Sequence, residues 1–362
     1  MPAFRLHILN ERFTTEEILL WNGIHANSYT AETLTYCKLW LEGKQEFELK
    51  TSGSTGTPKI IHIQRSQIEA SATATLHFFN LQPGDAVCCP LSIHVIGGQM
   101  MLYRSMIGGL DLYVIPPSKQ LDDLDTTIDY AFMPIAALQL FEVLTHQPEK
   151  IAVLNKLKHL LIGGSTITDA LFKQIQHSLS CAVWQSYGMT ETVSHIALRS
   201  IHPVTAESYT LLEHIEAGID ERSCLKIKAA VSNNEWIQTN DCVELLDDRH
   251  FIFQGRMDFT VNSGGVKIQV EPIEKIIDVL FSELDIHAAF FVGGVADNAL
   301  GDRLILAVDR IAIDSAQHDY LFKKLSEVLP RYHVPKDIHT IVFEYTPSGK
   351  IDRKKSLQKI KG

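Results

Sequence analysis

The chain has 362 residues, 45% of them hydrophobic and 21% charged, an ordinary globular composition that excludes low-complexity, fibrous and disordered readings. Lys and Arg number 33 against 43 Asp and Glu, a formal charge of −10, so the cationic surplus used to bind phosphate backbones is missing and nucleic acid is not an expected partner. At roughly 150 residues per domain, the length corresponds to about two domains.

From the N-terminus, residues 1–13 place Arg5, Asn10, Glu11 and Arg12 where a signal peptide needs an apolar run. Helical patterns follow near residues 16–21 and 32–41. Up to about residue 190, short β-rich runs then alternate with helical ones. Residues 60–63 lead into a helix opened by Ser66-x-x-Glu69, the spacing of a capping box. Residues 86–91 read as a strand, 97–107 as a helix, and 112–115 and 130–133 as strands again. Even residues 100–116 are interrupted by Arg104 and Asp111, short of the ~20 apolar residues of a membrane span. Strand 160–162 precedes helix 169–175, and strand 182–184 runs into Ser186-Tyr187-Gly188. This alternation predicts a mainly parallel sheet with crossover helices and ligands at the carboxyl ends of its strands.

Between residues 211 and 254 the texture changes to short alternating segments such as 225–228 and 242–245, the pattern of antiparallel strands with one wet face. A small α+β unit follows, with helices at 272–284 and 320–329 and strands at 288–292 and 304–308. The expected fold is therefore α/β, a large N-terminal domain over residues 1–256 and a small α+β one over 257–362. Cys37, Cys88, Cys89, Cys181, Cys224 and Cys242 form no C-x-x-C pair and mostly sit in apolar segments, as small reduced core residues do. No metal-ligand spacing is found among the His residues. A soluble, cytoplasmic protein is the expectation.

The strongest local signal is Thr51-Ser52-Gly53-Ser54-Thr55-Gly56-Thr57-Pro58-Lys59. Hydroxyls and glycines crowded into one loop offer many O–H and N–H donors, and the missing Cβ atoms let an anion approach the backbone, a recipe for cradling phosphates. It is not a Walker A loop, because Lys59 follows Pro58 and Ile60 stands where a magnesium-binding Ser or Thr would be.

This nonapeptide resembles the phosphate loop of the acyl-adenylate-forming enzymes, the superfamily of acyl-CoA synthetases, peptide-synthetase adenylation domains and luciferases. Further motifs of that family follow in order. Gly163-Gly164-Ser165 looks like its Gly-Gly-Ala turn, where backbone approaches the adenine. Gln185-Ser186-Tyr187-Gly188-Met189-Thr190-Glu191 is similar to the next motif, which implies Tyr187 and Gly188 at the adenine, Thr190 at the phosphates and Glu191 as the residue helping to hold Mg²⁺. Asp241 matches the Asp that accepts both ribose hydroxyls, although Asn240 stands where the family has Gly. Arg256 matches the ribose-binding Arg, and Asp258 falls at the hinge about which the small domain rotates. Ser263-Gly264-Gly265-Val266-Lys267, with Glu271 and Glu274, continues the pattern. Pro347-Ser348-Gly349-Lys350-Ile351-Asp352-Arg353 resembles the loop that delivers the catalytic lysine, here Lys350. Family members usually place a longer segment before the phosphate loop than the 50 residues found here, which implies a shortened N-terminal subdomain.

The resemblance implies a two-step reaction: ATP and a carboxylate give acyl-AMP and pyrophosphate, and the thiol of coenzyme A then yields a thioester and AMP. ATP, Mg²⁺ and CoA are the implied cofactors and cosubstrate, and no protein nucleophile is needed. The segments 96–104, 187–199 and 261–268 resemble the o-succinylbenzoate:CoA ligases of bacterial menaquinone synthesis. That acid carries a second carboxylate, and Arg104 lies about where those enzymes hold it; a guanidinium can do so bidentately. His94 sits at the family's aromatic-or-His position beside the acyl channel, and Ser194 and His195 are further acyl-pocket candidates. Two alternatives stay open: another aryl- or fatty-acyl-CoA ligase, and a non-catalytic adenylate-binding regulatory protein. A homo-oligomer is neither required nor excluded.

Overall fold

The computed structural model describes residues 3–50, 60–163, 166–297, 300–346 and 351–360. Among them, the largest element is a thirteen-stranded sheet. Its parallel part has the spatial order Arg5–Ile8, Asp111–Val114, Ala86–Cys89, Phe132–Ala136, His159–Gly163, Ala182–Gly188. Parallel neighbours need crossover connections, and helices such as Ile96–Gly108 and Asp169–Ser178 supply them. The central strands are apolar on both faces. In Ala86–Cys89, Val87 and Cys89 enter one core while Cys88 enters the other, as period-two alternation requires.

Beyond Gly188 the sheet continues with antiparallel pairings only, through His195–His202, Tyr209–Leu211, His250–Arg256, Ile237–Leu245, Cys224–Lys228 and Glu216–Ile219. A separate five-stranded sheet begins at Val261–Ser263. The helix Glu271–Glu283 buries Ile273, Ile277, Leu280 and Phe281 against it, one face at helical spacing. It also reaches the crossover helix Asp169–Ser178, since the Asp278 carboxylate accepts the Asp169 N–H at 2.6 Å. No helix among the described residues is long and apolar enough to cross a membrane.

Two local features differ from the sequence reading. Arg5–Ile8 and Glu11–Thr14 are strands at the sheet edge, with Arg5 paired to Asp111 at 2.7 Å; at four residues each they are too short for alternation to reveal them. The helix expected to open at Ser66 instead spans Arg65–Phe78. Gln67 accepts the Gln64 N–H at 2.9 Å, and Arg65 draws Glu69 into an ion pair at 2.8 Å, so the Ser66–Glu69 capping box does not form.

Candidate active site

Tyr187 stands at the carboxyl end of the last parallel strand, where ligands of such sheets bind. Its hydroxyl donates to Asp241 Oδ2 at 2.6 Å. Asp241 faces Arg256 across the register of strands Ile237–Leu245 and His250–Arg256, with Oδ1 3.6 Å from the guanidinium. The guanidinium also donates to Asp258 at 2.7 Å, and Asn240 donates to the other Asp258 oxygen at 3.2 Å. Thus Tyr187, Asp241, Arg256 and Asp258, four positions named from three separate motifs, meet in one polar cluster. Burial, reinforced by the Asp241 charge, raises the Tyr187 pKa, so the phenol stays protonated and acts as donor. Its ring leans edge-on to Phe251 at 5.1 Å.

The backbone beneath the cluster is specialised as well. Gly255 adopts φ 146°, and a Cβ there would run into the Glu271 carboxylate. With the glycine, Glu271 reaches the Arg256 N–H at 2.7 Å and ties the small sheet's helix to the strand carrying Arg256.

After Gly188 the chain makes a short 3₁₀ turn, Thr190–Thr192, with Thr190 half-buried and Glu191 exposed. The turn folds back so closely that a Cβ on Gly188 would overlap the Ser194 carbonyl. Val193, fully buried, takes φ 66°, a costly conformation for a β-branched residue. Thr192 holds the turn by donating to the Ser194 carbonyl at 2.8 Å. Among the described residues no group of three or more His, Cys, Asp or Glu is arranged to hold a metal ion. A single exposed carboxylate such as Glu191 nevertheless suits magnesium, which takes one or two carboxylates and completes its shell with waters and substrate phosphates.

The turn delivers Ser194 and His195 to a second cluster. Arg104, on the helix Ile96–Gly108, is only 3% exposed. It donates to Ser194 Oγ at 2.9 Å and otherwise touches Met101 Sδ at 4.0 Å, while its Nε has no partner. No carboxylate among the described residues pairs with it. Burial pulls its pKa down to about 10, so it stays charged at neutral pH. Ser71 lies 2.6 Å from Ser194, and Thr75 lies 3.1 Å from His195 Nε2. Burial, with the nearby Arg104 charge, lowers the His195 pKa well below its usual value, leaving a neutral ring.

Ser71 and Thr75 escaped the sequence reading. The signal available was faint: with Gln67, Ile68 and Ala72 they form the buried stripe of the helix Arg65–Phe78, two hydroxyls on a face that local sequence does not mark as a site.

Other expected positions lie apart from these clusters or outside the described residues. His94 is exposed and 3.4 Å from Glu32. Gly163 ends its strand, 3.2 Å separating the Ser186 hydroxyl from the carbonyl of the preceding Ile162. Thr51, Ser52, Gly53, Ser54, Thr55, Gly56, Lys59, Gly164, Ser165 and Lys350 lie outside the described residues. Three residues after Lys350, Arg353 makes a bidentate pair with the half-buried Glu274 at 2.8 and 2.9 Å.

A fold with this polar cluster at the carboxyl edge of a parallel sheet matches known proteins. The AMP-binding enzyme family model matches residues 50–217. The chain is 36% identical to an acyl-CoA synthetase (AMP-forming)/AMP-acid ligase II-like protein from Dyadobacter fermentans, covering 95% of this chain and 98% of that one with a TM-score of 0.64. The chain therefore belongs to the AMP-binding enzyme family, the AMP-forming acyl-CoA synthetases and acid ligases. A particular member to which it is similar is the 2-succinylbenzoate–CoA ligase of Salmonella typhimurium, at 26% identity over 305 residues; the match covers 80% of this chain but only 63% of that relative's length. The O-succinylbenzoate coenzyme A synthetase of Bacillus subtilis, solved with ATP and magnesium, shares the fold at TM-score 0.72 and 20% identity, over 85% of this chain and 69% of that one.

Proposed function

We propose that the protein is an AMP-forming acid:CoA ligase that activates o-succinylbenzoate with ATP and transfers the acyl group to coenzyme A, as menaquinone synthesis requires. The observation that carries the adenylating reading is the cluster of Tyr187, Asp241 and Arg256 at the carboxyl edge of the sheet. In it Asp241 would accept the ribose hydroxyls and Tyr187 would lie against the adenine. The choice of acid is supported by the buried Arg104, whose charge has no carboxylate partner among the described residues.

In the first step a carboxylate oxygen of the acid bonds to the α-phosphorus as the bond to pyrophosphate breaks, an in-line displacement helped by positioning and charge neutralisation. Lys350 would bridge the carboxylate and the α-phosphate, with residues 51–59 around the pyrophosphate and Thr190 beside the phosphates. Magnesium, held by Glu191, would supply further neutralisation of phosphate charge. The small unit, residues 257–362, would then turn about Asp258 and clear a path for the thiol. The CoA sulfur bonds to the acyl carbon, AMP departs and the thiol proton goes to solvent. His94, Ser194 and His195 would line the acyl side.

A panel of acids in a pyrophosphate-release assay tests this reading. It predicts release with o-succinylbenzoate; full activity on benzoate with none on o-succinylbenzoate contradicts the choice of acid. A regulatory adenylate binder would form no AMP with any acid.

A further inference from the structure

We propose that Ser71 is a positioning residue of the acid-binding site: through Ser194 it directs a hydroxyl proton toward the anionic group that Arg104 holds. The inference rests on the reading of Arg104 as the holder of the acid's second carboxylate. It follows from counting protons around the cluster.

A hydroxyl has one proton and two acceptor positions, and a guanidinium only donates. Arg104 donates to Ser194 Oγ, which uses one acceptor position there. Thr75 donates to the Ser71 carbonyl at 3.0 Å, so the proton between Thr75 Oγ1 and His195 Nε2 belongs to the histidine. The neutral His195 ring then carries its only proton on Nε2, and Nδ1 has none to offer an anion. Within this cluster, the donors left for a carboxylate are three of the five Arg104 N–H groups, the unpartnered Nε–H among them, and the proton of Ser194.

Ser194 has two ways to use that proton. With the site empty it can donate to Ser71, 2.6 Å away, a contact in which either hydroxyl can be the donor. With an anion present the pair reverses: Ser71 donates to Ser194, and Ser194 donates to the carboxylate. No heavy atom needs to move. Ser71 is 1% exposed and makes no contact with the ligand in this arrangement, acting only through its neighbour. An apolar residue at 71 would leave Ser194 a single acceptor contact and no partner to fix its rotation.

The test is calorimetric binding, in the presence of AMP, of o-succinylbenzoate and of 4-oxo-4-phenylbutanoate, the same acid without its ring carboxylate. Wild type should prefer the diacid. Ser71→Ala should weaken the diacid by about 3- to 10-fold and the monoacid by about twofold or less, with an unchanged melting temperature. Ser71→Thr, which keeps the hydroxyl, should restore the preference. If Ser71→Ala retains the full preference, or weakens both acids equally, the relay is wrong. No diacid preference in wild type overturns the relay together with the Arg104 assignment. The adenylation reading fails by a different sign, the absence of acid-dependent pyrophosphate release, and leaves the binding comparison readable.

Discussion

The two polar clusters at the edge of the large sheet bury charge in opposite ways. Around Tyr187 the compensation is internal: Asp241 has a phenol and a guanidinium, and Arg256 has Asp241 and Asp258. Around Arg104 it is not, since a fully enclosed guanidinium meets one hydroxyl and a thioether. A paired cluster keeps its geometry without a ligand. An unpaired buried cation costs stability, and a chain that retains one has a use for an anion from outside.

The largest loss is expected at Lys350, a charge that neither cluster can replace. Lys350→Ala should lower acyl-adenylate formation by about 10²–10³-fold or more while thioester formation from supplied acyl-AMP stays largely intact. Equal losses in directly assayed half-reactions would contradict that division of labour.

Arg104→Met attacks the comparison itself. Losing the cation should cut kcat/KM for o-succinylbenzoate by about 10²-fold or more, with a much smaller change for the monoacid. Because the charge is uncompensated, the melting temperature of the ligand-free protein should hold or rise. A marked fall in melting temperature would mean that a partner within the chain already neutralises Arg104.

Asp241→Ala should show the opposite stability sign. It strands the Tyr187 hydroxyl and loosens Arg256, at a cost of about 1–3 kcal/mol in chemical denaturation. The KM for ATP should rise by about 10-fold or more through loss of a charged hydrogen bond to ribose. Unchanged stability would show that the cluster is not internally compensated.

Protonation provides a smaller effect. His195 is held neutral in the folded state, so below its unfolded pKa of about 6.5 the unfolded chain binds a proton that the native one refuses. Its contribution to stability therefore falls as pH drops from 7 to 5, with a slope of at most about 1.4 kcal/mol per pH unit. His195→Gln should flatten the acid side of the stability profile, and an identical profile would show that another group sets it.

The smallest response is expected from the cysteines. All six are free and buried, and burial pushes Cys37, Cys89 and Cys242 up to about 12. An aromatic disulfide reagent should label none of them in the native protein; rapid labelling would reveal opening of the core.

Much of the fold was legible because its parallel strands are apolar runs separated by helical periodicity, as in residues 160–162 followed by the helix Asp169–Ser178. The edge strands were not, being four residues long, with Arg5–Ile8 stabilised by distant Asp111–Val114 and Glu11–Thr14 by Arg5–Ile8 in turn. In the site, Tyr187, Asp241 and Arg256 each stand in a contiguous motif, so local sequence named them, and the structure brings them together. The burial of Arg104 could be anticipated only in part: every residue from Gly98 to Met106 is buried, so this helix has almost no solvent face for a charge. Beyond that faint helical stripe, the roles of Ser71 and Thr75 lay outside local reading, since their partners are 123 and 120 residues away. Such contacts leave no periodic trace.

The most direct test of the central claim is mass spectrometry of the protein incubated with ATP, Mg²⁺ and o-succinylbenzoate in the absence of CoA. The account predicts bound o-succinylbenzoyl-AMP with one pyrophosphate released per adenylate, and its conversion to the thioester when CoA is added. Formation of ADP and phosphate, or ATP cleavage that does not depend on the acid, would contradict it.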